Sequence, residues 1–514
     1  MNTGGKKERA DVLVVGGGPV GMLLAAELAL HGVRTTVLEK ASVPSGESKA
    51  GTLHARTAQT LHRRGLLEAV QPGPYAAGRA PRRSVPFHFG GLPHLDLGPV
   101  VEEFPAMVGS PQAYAEAVFA RRALQWGARI ERGVEVTDVR ESGDHVEVAV
   151  RRGDREGGGL RARWVVGCDG ARSAVRQKAG IAFTGTLPTI SCMMGDVRLA
   201  EPHAAPSGWN RTPRGWTIFW TNPSGHSRVG TYDFRGPHPD RTSPVTFEEF
   251  RSEVDRITGR AVAMDEPRHL SRFSDAALQA ERYRAGRILL AGDSAHVHFP
   301  AGGQGLNTGL QDAVNLGWKL AAEVRGDAPA GLLDTYHAER HPVAAGVLEN
   351  VRAQVALMHP GPTTDALRRL FATLMEVDEV NAHLAGMVSG SDIAHDVGRP
   401  WDVLAGRFIP ETRLKTVRGT TGLAALLHSG RGVLLDLADR AELRRAAIGW
   451  EGRVDVVTAR AEEGPSADAI LLRPDGYAAW SAPVGGSGAE GLEEALRRWF
   501  GEPGRGGKGP GARS

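Results

Sequence analysis

The chain opens on a continuous apolar block, DVLVV over Asp11–Val15, which predicts a strand buried on both faces. Gly16–Pro19 breaks the run as a turn. Val20–His31 then strings together good helix formers with no interior breaker after Gly21, so a helix follows, with Gly32 as its C-cap. Apolar positions resume over Arg34–Leu38 as a second strand that ends on Glu39. Strand, helix and strand within about 30 residues make a βαβ unit, the opening of a doubly wound sheet. The pattern next predicts a helix over 50–70, irregular strands over the Pro-, Gly- and His-rich stretch 80–110, and a helix over 112–127 that begins at Gln112. Alternation from Ile130 to Val150 predicts a hairpin or meander turning at Ser142-Gly143-Asp144. Trp164–Val166 reads as a short strand that leads to Asp169-Gly170.

Residues 183–275 change texture. Strand-like runs such as Trp216–Trp220 and Ser227–Tyr232 alternate with Pro- and Gly-rich turns, as in an antiparallel sheet inserted between two halves of the first domain. Arg287–Leu290 is a further buried strand, and helices are expected over 308–324 and 334–357. From about residue 400 the pattern restarts as GVLLDLA, RVDVVTA and AILLRPDG, three strands with helices between them. The division that follows is an α/β domain from 1–180 and 270–398, a β-sheet domain at 181–269, and a small α/β domain at 399–500. The stretch 501–514 is too rich in Gly and Pro to pack and is expected to be a disordered tail.

Composition narrows the classes. The 514 residues are 41% hydrophobic and 24% charged, a soluble globular composition with room for several cores. A net charge of +3 gives no electrostatic case for nucleic acid. Two cysteines, Cys168 and Cys192, provide no disulfide framework, redox pair or thiolate metal site, and they suit a reducing cytoplasm as small buried side chains. Lys6 and Lys7 ahead of an apolar stretch mimic a signal peptide, but Gly16–Gly18, Pro19 and Glu27 interrupt it. No other run approaches the ~20 apolar residues that span a bilayer. The expectation is an unprocessed, cytoplasmic protein with no membrane partner.

Two glycine constellations carry the chemistry. Gly16-x-Gly18-x-x-Gly21 follows a strand and opens a helix, with Pro19 and Val20 inside the motif. Gly16 allows the tight turn, Gly18 lets the backbone approach a pyrophosphate, and Gly21 lets helix and strand pack closely. The helix start offers free N–H groups and the positive end of its dipole. Glu39, ending the second strand and followed by Lys40, can accept both hydroxyls of an adenosine ribose. This much is dinucleotide binding and does not choose between FAD and NAD. The second constellation, in RILLAGDSAHVHFPAGGQGLNTGLQDAVNLGWK, chooses. Gly292-Asp293 ends a strand where a carboxylate can hold a sugar-like hydroxyl. Gly302-Gly303-Gln304-Gly305-Leu306-Asn307 then opens a helix as a second cradle of N–H groups. Two cradles far apart in sequence suit one long ligand.

Together with the DG motif in GCDGARSAVRQKAG (Asp169, Gly170), this ordered set resembles the class A, para-hydroxybenzoate hydroxylase-like, flavoprotein monooxygenases. SKAGTLHARTAQTLHRRG and the small C-terminal domain are similar to the branch acting on aromatic polyketides. The resemblance implies that the 1–180 and 270–398 domain binds FAD, that 181–269, helped by 80–110, binds substrate, and that 399–500 is thioredoxin-like. With no cysteine beyond Cys192, that last domain has no dithiol chemistry, and packing or oligomerisation is its expected role. The resemblance further implies that Gly16, Gly18, Pro19, Val20 and Gly21 meet the pyrophosphate and that Glu39, with Lys40 beside it, meets the ribose. Gln112 and Asp169 contact FAD, and Asp293 binds the ribityl chain. Gly303 and Gly305 shape the cradle, while Leu306 and Asn307 offer backbone groups to the flavin's pyrimidine edge. Pro300 and Ala301 line the cavity beside the reacting carbon. Lys49 stands where many members carry arginine, keeping the charge but losing the planar fork. By the same resemblance NADPH or NADH reduces the flavin, O2 adds at C4a, and the hydroperoxide delivers one oxygen to a polycyclic phenol.

Several residues carry two readings. Trp216, Ile218 and Trp220 share one face of a strand and either floor a flat substrate or form that sheet's core. Phe299, where the family often has a small residue, either reshapes the cavity or simply packs. His296 and His298 spell His-x-His, but alternate residues on a loop are weak metal ligands, so they read as loop histidines bonded to backbone, and no metal is expected. No catalytic acid or base stands out. Baeyer–Villiger insertion, inactivation of an aromatic antibiotic, and a non-catalytic flavin-binding role are the alternatives, in a monomer or homodimer.

Overall fold

The computed structural model describes residues 10–48, 50–71, 84–100, 103, 105–240, 243–462, 467–486 and 489–504. Its spine is a parallel sheet in the order Ile288–Leu290, Arg155–Gly167, Ala10–Val15, Thr35–Glu39, Arg129–Arg132. The continuous apolar run predicted such a strand, and Val12 and Val14 are fully buried. Arg284–Ala285 closes one edge antiparallel. The expected hairpin is present as Val134–Ser142 against His145–Arg152, with Gly143 and Asp144 between them.

Three strand and helix readings change. The short strand at Trp164 is the end of a longer one, Arg155–Gly167. Its polar, Gly-rich start, Arg155–Gly159, pairs antiparallel with His145–Arg152 and carries no apolar signal. The helix read over 50–70 is shorter: Thr52–His54 pairs as a strand with Met107–Gly109, and only Ala55–His62 is α-helical. The predicted helix at 308 starts earlier, at Gln304, because the glycine cradle itself forms the first turn.

Helix Pro19–Leu30 is buried along most of its length between helices Gln112–Gln125 and Gln304–Arg325. It holds one charge, Glu27, which accepts from Nε of Arg64 at 2.8 and 3.0 Å. A Cβ at Gly317 would fall 2.5 Å from the Cβ of Glu27, so the glycine sets the approach of the two helices.

The inserted sheet is antiparallel, in the order Gly208–Thr212, Gly215–Trp220, Ser227–Asp233, Ser191–Leu199, Met264–Ser274. Helix Phe247–Thr258, which the strand-like pattern did not announce, covers one face through Phe250 and Val254. The other face turns Cys192, Trp216, Ile218 and Tyr232 toward Phe299, Ala301 and helix Asp334–Met358. Two more helices, Pro362–Leu374 and Asp378–Ser389, follow.

The C-terminal unit is larger than the three strands read from sequence. Six strands run in the order Gly419–Gly422, Arg413–Thr416, Val454–Ala461, Gly432–Asp436, Ala467–Leu472, Ala478–Pro483. Only Gly432–Asp436 and Val454–Ala461 pair parallel. The three additional strands are short or mixed in character, as edge and near-edge strands are. Helix Leu492–Phe500 packs its Trp499 and Phe500 against Trp318 of the first domain. Of the expected tail, residues 505–514 lie outside the described residues. Among the described residues, no helix is long and apolar enough to cross a membrane.

Candidate cofactor site

Gly16, Glu39, Asp169 and Asp293 fall at or just beyond the carboxyl ends of neighbouring parallel strands, where open α/β sheets bind ligands. Gly16 has φ +106°, and a Cβ there would lie 2.3 Å from the carbonyl oxygen of Cys168. A Cβ on Gly21 would lie 2.1 Å from the carbonyl oxygen of Gly16. Both positions therefore demand glycine for close packing. Gly18 differs: a Cβ would meet nothing within 4 Å, so space is left over the turn. Gly18 caps helix Pro19–Leu30 without any side-chain bond, and its first-turn N–H groups lack a side-chain cap.

Glu39 shapes the same turn. Its carboxylate accepts from the backbone N–H of Gly17 at 2.6 Å and of Ala41 at 2.8 Å. Each oxygen keeps a further lone pair for an incoming hydroxyl. Lys40 next to it is exposed. The backbone N–H of Gln112, at its helix start, donates to the carbonyl of Ala50 at 2.9 Å and ties that helix to the segment before Thr52–His54. Lys49 lies outside the described residues.

Asp169 accepts from the Ser173 hydroxyl at 2.5 Å and from the Val175 N–H at 3.1 Å, which builds the turn into helix Ala174–Lys178. From that helix Arg176 donates to the carbonyl of Ser294 at 2.9 Å, joining the Asp169 turn to the Asp293 turn. The sequence reading missed Arg176. Its arginine within the DG motif was the available signal.

Asp293 is exposed on a single 3-10 turn, Gly292–Ser294. The turn is fixed from below. The hydroxyl of Ser294 donates to the carbonyl of Gly167 at 2.5 Å, and the N–H of Gly292 donates to Asp312 at 3.2 Å. Asp312 also takes His296 at 2.7 Å and Arg340 at 2.8 Å. Full burial opposes its charge, yet Arg340 and His296 hold its carboxyl below the usual range. The expectation that both loop histidines bond backbone is thus half corrected: His298 donates to the carbonyl of Phe299 at 2.7 Å, whereas His296 meets a carboxylate that only folding brings near. Arg340 already answers that carboxylate, which disfavours a cation there.

The second cradle has the same character as the first. Gly302 and Gly303 sit at φ +69° and +66°, and Gly303 caps helix Gln304–Arg325 with no side-chain bond. Asn307 pins it: Oδ1 accepts from the His54 N–H at 2.8 Å, and Nδ2 donates to the carbonyls of Thr52 at 3.1 Å and Gly303 at 2.8 Å. Nε2 of His54 donates to the carbonyl of Gly302 at 2.7 Å. Burial pulls His54 and His298 each down to about 4, so both imidazoles beside the loop are neutral at pH 7. His54 was not among the sequence candidates, although it sits within the SKAGTLHARTAQ segment. Gly305 and Leu306 are half-buried in the first turn.

Of the substrate candidates, Trp216, Ile218 and Phe299 come together in one buried cluster with Ala301, Tyr232 and Met358. Nε1 of Trp216 donates to the carbonyl of Met358 at 2.6 Å. Phe299 meets Tyr232 edge to face at 5.5 Å. Trp220, at the strand end, is 52% exposed and stands apart from this cluster, while Pro300 is exposed next to it. Trp209, missed from sequence, extends the aromatic surface to Tyr232 and to His88, at 5.2 and 5.3 Å.

The two helix starts with open N–H groups and the glycine space between them fit a long diphosphate cofactor. The FAD binding domain family matches residues 9–351, and the aromatic-ring hydroxylase C-terminal family matches 402–503. The chain is 42% identical over 512 residues to a 12-dehydrotetracycline 5-monooxygenase/anhydrotetracycline 6-monooxygenase of Streptomyces rimosus, covering 96% of this chain and 99% of that one. It is 42% identical over 494 residues to a rifampicin monooxygenase of Streptomyces venezuelae, covering 96% and 98%. A solved aromatic hydroxylase from angucycline biosynthesis superimposes with a TM-score of 0.88 at 43% identity, over 97% of this chain and 100% of that one.

Proposed function

Because the chain belongs to the class A FAD-dependent aromatic-ring hydroxylases, we propose that it hydroxylates a polycyclic aromatic, polyketide-type phenol with NADPH or NADH and O2 as co-substrates. The observation that carries this reading is the pair of uncapped helix starts, at Gly18 and Gly303, beside the carboxyl edge of one parallel sheet. When bound, FAD supplies electron transfer from the nicotinamide and activation of dioxygen at its C4a carbon.

The protein's part is binding, orientation and exclusion of water. Gly16, Gly18, Pro19, Val20 and Gly21 hold the pyrophosphate against the first helix start. Glu39, already fixed by Gly17 and Ala41, accepts the ribose hydroxyls. Asp293 takes the ribityl hydroxyls from a turn that cannot shift without disturbing Asp312. The N–H groups of Leu306 and Asn307 meet the pyrimidine edge, and Pro300 and Ala301 border the reacting position. Gln112 closes the cofactor side, and Asp169 acts through its turn. His54 and His298, neutral and buried, keep that pocket free of fixed charge. The proposal includes the division into a FAD-binding body from 1–180 and 270–398, a substrate sheet at 181–269 and a C-terminal unit at 399–500.

Oxygenation of an aromatic antibiotic, inactivating it, is a second reading, favoured by the rifampicin monooxygenase relative. One experiment tests both. Purified protein is examined for a flavin absorption spectrum, then screened with polycyclic phenols and ansamycins for stimulated NADPH oxidation, with the products analysed by mass and connectivity. A phenol product gaining one oxygen with its rings intact supports hydroxylation, and a ring-expanded product supports Baeyer–Villiger insertion. Colourless protein that cannot be reconstituted with FAD overturns the reading.

A further inference from the structure

Four tyrosines are buried among the described residues, Tyr232, Tyr283, Tyr336 and Tyr477. Tyr336 donates to the carbonyl of Leu290 at 2.7 Å, and the hydroxyl of Tyr283 accepts from Nε2 of Gln279 at 2.9 Å. The Tyr477 hydroxyl has no partner but is enclosed by protein. Tyr232 differs from all three. The residue is only 2% exposed, yet among the described residues no hydrogen bond reaches its hydroxyl, and that hydroxyl is not one of the enclosed polar atoms. A phenol that packs its ring and leaves its O–H unbonded at an opening has room for a partner from outside the chain.

Tyr232 belongs to a circuit of ring contacts that closes on the second glycine cradle. Phe299 meets it edge to face at 5.5 Å and is followed directly by Pro300, Ala301 and Gly302. In the other direction Trp209 lies at 5.2 Å from Tyr232, His88 at 5.3 Å from Trp209, Phe87 at 4.8 Å from His88, and His54 at 5.6 Å from Phe87. His54 returns to the cradle, where Nε2 donates to the carbonyl of Gly302 at 2.7 Å. Trp209, His88 and Phe87 are half-buried, so that side of the circuit can be reached by a ligand.

The circuit carries no charge at pH 7. Burial pulls His54 and His88 each down to about 4. Burial pushes the Tyr232 phenol well above its usual range, so its proton stays on the oxygen and the group is a donor rather than a base. Rings without a counter-ion disfavour a carboxylate or phosphate and suit a flat, uncharged body. An apolar ring that covered the O–H without bonding it would incur a desolvation penalty of about 1–3 kcal/mol, so the favoured occupant brings an oxygen that accepts.

We propose that Tyr232 selects the ligand of this site: its hydroxyl donates to a carbonyl-type oxygen on a flat, uncharged fused-ring molecule seated against the circuit. That this molecule is the one oxygenated rests on the proposed function. The hydrogen bond itself rests on the unbonded hydroxyl and the rings around it.

The test is calorimetric titration of FAD-loaded wild type and Tyr232→Phe with chromone, a flat bicycle whose carbonyl accepts, and with naphthalene, of similar shape and without an acceptor. Chromone binds wild type, and Tyr232→Phe weakens it by about threefold to tenfold, the worth of one neutral hydrogen bond. Naphthalene affinity changes by less than about twofold. The flavin spectrum and Tm of the variant stay as in wild type, because the hydroxyl holds nothing else in the protein. No chromone binding to wild type, or an equal loss of both compounds, overturns the assignment, as does equal chromone affinity in the two proteins. Phenol-stimulated NADPH oxidation is measured on the same wild-type sample. If oxidation is stimulated and chromone ignores the substitution, only the role of Tyr232 falls. If chromone responds and no phenol stimulates oxidation, only the proposed function falls.

Discussion

Gly16 shows how one absent carbon places a cofactor site. It joins the end of the first strand to the end of Arg155–Gly167 so tightly that a methyl group would lie 2.3 Å from the Cys168 carbonyl oxygen, at a φ of +106° that disfavours any side chain. Gly16→Ala is therefore expected to cost about 1–3 kcal/mol and to lower FAD content, read from urea midpoints and flavin absorbance. Asp293 makes the opposite case. It is exposed on a turn that Ser294 and Gly292 anchor, and those anchors remain when its carboxylate is removed. Asp293→Ala is expected to hold its Tm while FAD binding weakens by about tenfold to a hundredfold, the worth of a hydrogen bond to a charged group. Unchanged FAD affinity would remove Asp293 from the site. The two substitutions separate residues that build the cradle from residues that face its occupant.

At the scale of elements, helix Gln304–Arg325 does three jobs in sequence. Its first turn is the cradle, its middle carries Asp312 under the Asp293 turn, and its later turns bring Trp318 to the C-terminal unit, where Nε1 donates to Asp475 at 3.2 Å. Asp312→Ala would strand the Arg340 guanidinium in the core, at an expected cost of about 3–5 kcal/mol in equilibrium unfolding. A loss below about 1 kcal/mol would mean that water reaches Arg340. The sequence exposed the first job and hid the second for a physical reason. Glycine spacing is local: strand, turn and helix start follow one another, so Gly16–Gly21 and Gly302–Asn307 can be read directly. Asp312 gains meaning only from His296 on a loop and Arg340 on the next helix, and no periodicity announces such a meeting. The same limit explains Glu27. In the sequence it merely spoiled a signal-peptide pattern, whereas in the fold it is the buried partner of Arg64. Elements buried on both faces were legible because they are continuously apolar. Arg155–Leu160 and Thr52–His54 were not, since their partners rather than their own side chains make them strands.

The whole molecule is held together by buried charge as well as by apolar contact. Arg473 of the C-terminal unit donates to Glu339 at 2.6 and 2.8 Å and to Asp475, and Lys319 meets the same Glu339 at 2.9 Å. Trp318 shares its core with Trp480, Trp499 and Phe500. A chain ending before residue 402 would leave Trp318 without its apolar core and Glu339 without Arg473. It is expected to bind the dye ANS and to aggregate, and a soluble, FAD-loaded truncation would show the C-terminal unit to be dispensable. The pH response also belongs to this scale. Burial pulls His54, His88 and His298 down to about 4, and His31 and His395 to about 3. Unfolded, each titrates near 6.5, so between pH 6.5 and 4 the unfolded chain binds protons that the folded one refuses. Stability from these groups is complete above pH 6.5 and is lost as pH falls through that window. His62, held up by Glu103, acts in the opposite sense with a single group. Tm measured from pH 7.5 to 4.5 is therefore expected to fall steadily below pH 6.5, before the carboxylates near pH 4 contribute. Replacing His54 and His298 together by glutamine, which keeps a neutral hydrogen-bonding side chain, should flatten the upper part of that decline. An unchanged slope would place the proton uptake elsewhere than beside the cofactor loop.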